Sequence, residues 1–267
     1  SSASIGNKYL FLQAGGGKAE SSQFYKNADN PDIFRQSSSI FINSGLKFFS
    51  NIELKISHLN NERKFEDYYL SDSAGSSYKI NTLKIETNKG RYGNLDLYIS
   101  DQIINGDEII SGNKLSRIDH KILTGFKYRK KLNKGYIIFN GDRSYINADW
   151  KTNDDNINLR REKFSFSTAI GISQKKTHEG FQIKDFTLSL NSNNVVDKNN
   201  SESNLLENLK WQNSGANFFF SAWDRLDNAI VYLYANLGSN FRIPGIYERY
   251  AYAFRPSIFN NNSLLIE

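Results

Sequence analysis

Cysteine and methionine are missing altogether from the 267 residues, and proline occurs three times. Without cysteine there are no disulfides and no thiolate metal sites. The opening "SSASIGNKYL" has neither a starting methionine nor a basic-then-apolar leader, so a processed chain or a fragment is expected. No run of about 18 apolar residues occurs, which excludes a membrane-spanning helix. It does not exclude a membrane-spanning barrel, whose strands turn only every second residue to lipid. Histidine is scarce as well. His58, His120 and His178 show no triad spacing and no His-x-x-x-His metal pair. They read as surface or lumen histidines. No catalytic residue, resident cofactor or metal site is expected, and the protein is not read as an enzyme.

Two further signals are weak. "AGGGKAE" (14–20) lacks the Gly-Lys-Ser/Thr and the following helix that a phosphate loop needs, so it reads as a strand exit. The net charge of +6 is dispersed, and its densest cluster, "KYRKKLNK" (127–134), falls in one tight turn. That is a solvated face rather than a nucleic-acid footprint.

What the chain does have is a period of two. Ile52, Leu54 and Ile56 alternate with Glu53, Lys55 and Ser57. Leu95, Leu97 and Ile99 alternate with Asp96, Tyr98 and Ser100. Phe164, Phe166, Thr168, Ile170 and Ile172 alternate with polar or small neighbours, as do Phe186, Leu188 and Leu190. Each run predicts a strand with one greasy and one polar face. In "FQIKDFTLSL" the phase slips between Ile183 and Phe186, which predicts a bulge at Lys184–Asp185.

Short connections are predicted near 47–51, 88–94, 129–134, 174–180 and 223–228. Long polar loops are predicted over 60–77, 101–117, 142–161 and 191–208. This asymmetry fits an all-β, antiparallel, up-and-down transmembrane barrel. The count is about eleven strands, the first near 8–13 and the last ending near Ala235. An odd, unclosed count leaves edge groups unpaired in lipid, so residues 1–267 are expected to be one part of a larger barrel. By itself the fragment is not expected to form a stable monomer in lipid. Aromatics near strand ends (Phe48, Phe49, Tyr68, Tyr69, Trp150, Trp223 and Phe218 to Phe220) are expected in girdles at the membrane interfaces. A passive porin or adhesin-like barrel, and a soluble β-domain that binds carbohydrate, stay open on the pattern alone.

The stretch "NFRIPGIYERYAYAF" (240–254) is of another kind. Pro244 has no N–H and cannot serve a central strand, so it takes the chain out of the sheet soon after Leu237. Arg242 and Glu248 are placed to pair and pin that exit. The segment resembles a signature of TonB-dependent outer-membrane receptors, Phe-Arg-x-Pro-x-x-x-Glu-Leu-Tyr. Phe241, Arg242, Pro244, Tyr247, Glu248 and Tyr250 fall on it, with Arg249 where the family has Leu. "NNNSLLIE" (260–267) is similar in length to the family's second box, Gly-Asn-Pro-x-Leu-x-Pro-Glu. Leu264 and Glu267 match it, while Asn262 and Ile266 replace its prolines.

The resemblance implies a 22-stranded barrel filled by an N-terminal plug, with the plug and the C-terminal strands outside this chain. It implies import of a ferric siderophore, cobalamin or haem across the outer membrane of a Gram-negative-type bacterium. It also implies energy from the TonB–ExbB–ExbD complex, acting on a segment ahead of the plug, and surroundings of outer-membrane lipid and lipopolysaccharide. Haem is disfavoured, because residues 245–259 hold no histidine. Tyr250, Tyr252, Phe254 and Arg255 offer rings and a guanidinium for an anionic, aromatic siderophore.

Overall fold

The computed structural model describes residues 1–23, 33–48, 51–67, 72–87, 92–110, 112–153, 156–173, 182–200, 208–226, 229–239 and 243–246. They build one antiparallel sheet of twelve strands in which each strand pairs with its sequence neighbours. In chain order these are β1 (Ser2–Gly6), β2 (Leu10–Gln23), β3 (Ile33–Phe48), β4 (Ile52–Asp67), β5 (Asp72–Thr87) and β6 (Asn94–Ile110). There follow β7 (Asn113–Leu132), β8 (Gly135–Lys151), β9 (Asn156–Ser173), β10 (Gln182–Asn199), β11 (Leu209–Leu226) and β12 (Ala229–Gly238). The all-β, antiparallel, up-and-down order expected from the alternation is what the chain forms, as one sheet with β1 and β12 at its two edges.

Four expectations need correcting. Residues 14–20, read as a strand exit, lie inside β2, and residues 127–132 of the basic cluster belong to β7, which leaves only 133–134 between β7 and β8. The strand missing from the count is β1, "SASIG", five residues and so too short to show a period; only its ladder with β2 (Ser2↔Gly15 to Gly6↔Phe11) defines it. The predicted long polar loops are mostly strand. β4 runs to Asp67 and β5 starts at Asp72, β6 and β7 pair up to Ile110↔Asn113, and β8 and β9 up to Lys151↔Asn156. The physical reason is that the hydrophobic pattern stops where the outer face stops being greasy. The hydrogen-bond ladder does not stop there, because each strand still has two neighbours to pair with. The turn between β6 and β7 is then so tight that Gly112 takes φ +81°, a region open to glycine at little cost. The predicted bulge is present: Ile183 pairs with Ala222 and Asp185 with Ser221, leaving Lys184 as the extra residue.

Register assigns the faces. Residues directly opposite one another point to the same side. The greasy outer stripe therefore crosses the sheet through Ile42, Ile56, Leu83, Ile99, Ile122, Phe166 and Leu188, all on one side. Ile56, Leu97, Ile99 and Ile170 are about half exposed. A stripe that spans the whole sheet far exceeds the scattered apolar surface of a soluble monomer. On β9 it covers residues 164–172, about 30 Å of strand at ~3.3 Å per residue. At a tilt of ~40° that is close to the ~25 Å apolar band of a membrane barrel. The stripe lies toward the end at which β3 is followed by β4, β5 by β6, β7 by β8, β9 by β10 and β11 by β12, here called the lower end. The strands then continue well past it toward the upper end, with mostly polar residues on the outer face.

The opposite, inner face carries the charges and nearly all the burial. At the lower end Lys55 Nζ lies 2.7 Å from Glu86 Oε2, and Lys84 Nζ lies 3.1 Å from Asp96 Oδ2. These ions sit at the depth of the greasy stripe but on the other side of the sheet. At the upper end Leu115, Ala148, Trp150, Ile157 and Leu159 form a buried cluster. Trp150 is 1% exposed, so it is an inner-face core residue and not part of a girdle. Its indole Nε1 donates to Asp119 Oδ1 at 2.8 Å. Of the other expected girdle residues, Phe48, Phe218 and Phe220 face outward, Phe219 and Trp223 share the inner-face phase, and Phe49, Tyr68 and Tyr69 lie outside the described residues. A further outer pair, Tyr128 and Phe139, stacks at 6.1 Å near the turn at 133–134.

Glycines opposite aromatics close the inner wall. Phe11 lies over Gly45, Phe41 over Gly15, Tyr98 over Gly125 and Tyr136 over Gly171, each a direct cross-strand pair. The ring covers backbone that glycine leaves bare. A side chain at Gly45 would run into the Phe11 ring. Gly45→Val is expected to lower the unfolding free energy of the full-length protein by about 1–3 kcal/mol. Adding Phe11→Ala should recover part of that loss. Urea titrations of the two variants in vesicles measure both.

Candidate functional site

Two adjacent rungs of the inner wall, at the upper end of β2 to β7, enclose a recess of about 540 Å³. One rung runs, pair by pair, through Ala19, Ser37, Arg63, Ser76, Gly106 and Arg117. The next runs through Ser21, Arg35, Phe65, Ala74, Glu108 and Leu115. Large cationic side chains thus stand at both sides of a floor of small residues. The Arg35 guanidinium lies 5.7 Å from the centroid of the Phe65 ring, which keeps it off the floor. The Arg117 side chain lies over Gly106, where an added Cβ would meet it at 3.0–3.6 Å. Three inner-face guanidiniums against the single inner-face carboxylate, Glu108, leave the recess positive.

Next to the recess, around Trp150, the wall holds a second constellation. Arg161 on β9 faces Asp197 on β10 as a direct pair. Arg161 Nε and Nη2 donate to Asp197 Oδ1 and Oδ2, both at 2.6 Å. The residues are only 6% and 2% exposed. The remaining guanidinium nitrogen, Nη1, donates to the backbone carbonyl of Pro244 at 2.6 Å. The Trp211 ring lies 5.5 Å from Arg161 Cζ. Pro244 is buried, and Ile246 packs against the Leu115–Trp150–Leu159 cluster. The segment Ile243–Ile246 therefore docks on the inner wall after β12 has ended at Gly238. Proline suits this position, since its carbonyl is used and it has no N–H to satisfy.

Of the residues read from the sequence, Pro244 is in place: it lies past the strand, as expected, and its carbonyl is pinned by Arg161. Phe241, Arg242, Tyr247, Glu248, Tyr250, Tyr252, Phe254, Arg255, Leu264 and Glu267 lie outside the described residues, so the expected Arg242–Glu248 pair does too. His58 and His120 sit on the outer face, His58 directly opposite Ile42 at the upper edge of the greasy stripe. His58 Nδ1 is 2.7 Å from Asn81 Oδ1, and His120 Nε2 is 2.6 Å from Asp101 Oδ1. His178 lies outside the described residues.

Sequence reasoning missed Arg35, Arg63, Arg117, Arg161 and Asp197. Each sits on the polar phase of its strand, which is a legible signal. That three arginines share one recess depends on register across five strands, β3 to β7, which no local pattern carries.

Neither a family model nor a curated protein matches the sequence. Solved structures do. The chain is similar to the copper transporter OprC, with TM-score 0.75 and 9% identity over 94% of this chain and 43% of that one. It is similar to BauA, the ferric preacinetobactin receptor from Acinetobacter baumannii, with TM-score 0.63 and 12% identity over 88% and 43%. It is also similar to a double mutant of the Serratia marcescens hemophore receptor HasR, in a complex with the hemophore HasA and heme. There the TM-score is 0.62, with 11% identity over 91% and 42%. The chain spans less than half the length of each. At these identities the likeness shows the fold they share, and the three differ in what they carry.

Proposed function

We propose that the chain is part of the barrel of an outer-membrane receptor that imports a scarce solute with energy supplied by the TonB–ExbB–ExbD complex. A ferric siderophore is the favoured solute, cobalamin the next, and haem is less favoured. The observation that carries this reading is the division of one sheet into a greasy outer face and a charged inner face. That inner face bears an arginine-lined recess large enough for a small ligand, within the usual range of ~300–1,000 Å³. The resemblance of residues 241–250 to the receptor signature supports it, as does the fold shared with a copper transporter and two receptors.

In this reading the upper end faces the cell exterior, and the greasy stripe meets the lipid. The polar upper strands meet lipopolysaccharide. A plug, joined through the rest of the chain, fills the interior. Tyr250, Tyr252, Phe254 and Arg255 add rings and a guanidinium to the ligand's surroundings. No covalent chemistry is assigned to any residue.

The test uses the whole receptor in its own cells. Uptake of radioactive iron from a ferric siderophore is expected to require both the receptor and a working TonB. Uptake that continues without TonB, together with sucrose-driven swelling of vesicles holding the purified receptor, would identify a passive porin instead.

A further inference from the structure

We infer that the outer face of β9, β10 and β11, above the greasy stripe, carries a phosphate site for a phosphorylated lipid of the outer leaflet, built from Arg160, Lys198 and Lys210. The inference rests on the stripe meeting lipid. It does not depend on what the barrel carries.

Register brings the three cations together. Arg160 on β9 shares the outer phase of Phe164 and Phe166, and Lys198 on β10 is its direct cross-strand partner. Lys210 on β11 faces Val196, so it stands on the diagonal from Lys198, ~7–8 Å away. Arg160 to Lys210 spans two strand spacings, about 10 Å. All three side chains are exposed. Lys198 and Lys210 also border a cleft of about 290 Å³ between the upper ends of β10 and β11, with Asn199, Asn200 and Asn208.

Like charges directly opposite one another in a ladder repel. Among the described residues none of the three forms an ion pair that would offset this. Glu162, two residues from Arg160 on the same face, is held by Arg143. The carboxylate of Asp149, on the same face of β8, accepts from Asn158. The far flank of the outer face is different: Lys18 pairs with Glu20 on β2, and Lys64 with Glu66 on β4. The grouped cations of β9 to β11 therefore call for an anion from outside the chain.

Position selects its source. Arg160 lies four residues above Phe164, the top of the stripe on β9, which is about 13 Å along the strand at ~3.3 Å per residue. At a tilt of ~40° that is ~10 Å above the apolar band. Lipid head groups occupy the layer that flanks the hydrocarbon core, so a head group is the anion nearest to hand. Phosphate suits the cluster, since an arginine fork takes two of its oxygens and each lysine adds a point charge. A carboxylate has only two oxygens to share among three cations. In an outer membrane the matching lipid is lipopolysaccharide, through the phosphates on its sugar anchor, lipid A.

The experiment is native mass spectrometry of the full-length receptor in detergent, titrated with lipid A bearing two phosphates. Lipid A stripped of phosphate, inorganic phosphate and polyglutamate are the comparisons. The parent is expected to bind phosphorylated lipid A about tenfold or more tightly than the stripped form, as one or two charge-assisted hydrogen bonds would give. Arg160→Gln, Lys198→Gln and Lys210→Gln together are expected to bring that ratio close to one. Lys18→Gln with Lys64→Gln, on the far flank, should leave it at the parent's value. All five positions are exposed, so both proteins should keep the heat-modifiable gel migration of the folded receptor.

No preference in the parent, or equal ratios in the parent and the triple variant, would overturn the inference. So would inorganic phosphate displacing lipid A at equal concentration, which marks a site for the free ion, or preference for polyglutamate, which marks an acidic protein partner. This reading and the proposed function fail separately. TonB-independent transport with the lipid preference intact removes the importer and leaves the site. TonB-dependent uptake with no lipid preference removes the site and leaves the importer.

Discussion

Replacing Arg161 with methionine is expected to destabilise the full-length protein by about 3–5 kcal/mol. Asp197 would keep its charge at 2% exposure and lose both of its 2.6 Å guanidinium bonds. Breaking a buried pair from one side takes the cation away from a buried carboxylate, which is the costly case. The buried carbonyl of Pro244 would lose its donor as well, a further cost of about 1–3 kcal/mol. Asp197→Asn should be milder, since an amide oxygen still accepts from Arg161. The double change Arg161→Met with Asp197→Leu should recover most of the ion-pair loss, because two apolar side chains can fill that space beside Trp211 and Val195. It should not recover the docking of Ile243–Ile246.

These outcomes are read in two ways. Urea unfolding of the receptor in vesicles gives the free energy. Limited proteolysis gives the docking: cleavage within 243–246 is expected in both variants that lack Arg161 and not in the parent. If Arg161→Met stays within about 0.5 kcal/mol of the parent, the span of an ordinary surface change, then this pair does not pin the segment.

The second large effect concerns the outer face. Ile99→Arg puts a guanidinium in the middle of the greasy stripe on β6. It is expected to cost about 2–4 kcal/mol in a lipid bilayer, the penalty for a cation near the midplane of a barrel. Gln102→Arg is the control. It lies three residues along the same strand and on the inner face, where Lys84 and Lys55 are already accommodated. It is expected to change stability by less than about 0.5 kcal/mol, as for an ordinary solvated surface. The pair of variants separates a lipid-facing stripe from a soluble sheet face. In a soluble β-domain with the stripe covered by protein, both would be measured in plain buffer and the folded Ile99→Arg protein would aggregate. If instead Ile99→Arg and Gln102→Arg refold into vesicles equally well, the assignment of faces is wrong.

The recess and the docked segment share a boundary. Arg117 pairs with Trp150, which belongs to the cluster under Ile246.

Much of this architecture is local and therefore legible in the chain. Alternation in "IELKIS", "LDLYIS" and "FSFSTAIGI" places strand, greasy face and polar face together, because side chains on a strand point to alternate sides. The slip in "FQIKDF" locates the bulge, because one extra residue reverses the phase. Pro244 marks the end of a strand through its own covalent geometry.

The rest depends on neighbours. β1 and the upper halves of β4 to β9 exist because a partner strand supplies their hydrogen bonds, and no periodicity survives there to announce them. Trp150 looks like an interface aromatic until register sets it inward, against Leu159 and beside Asp119. Arg35, Arg63 and Arg117 are separated by dozens of residues and line one recess only because four ladders hold them in step. Arg161 finds both Asp197 and the carbonyl of a residue 83 positions away. Composition and period determine what kind of wall this chain builds. Register and docking, which are relations between distant strands, decide what the wall holds.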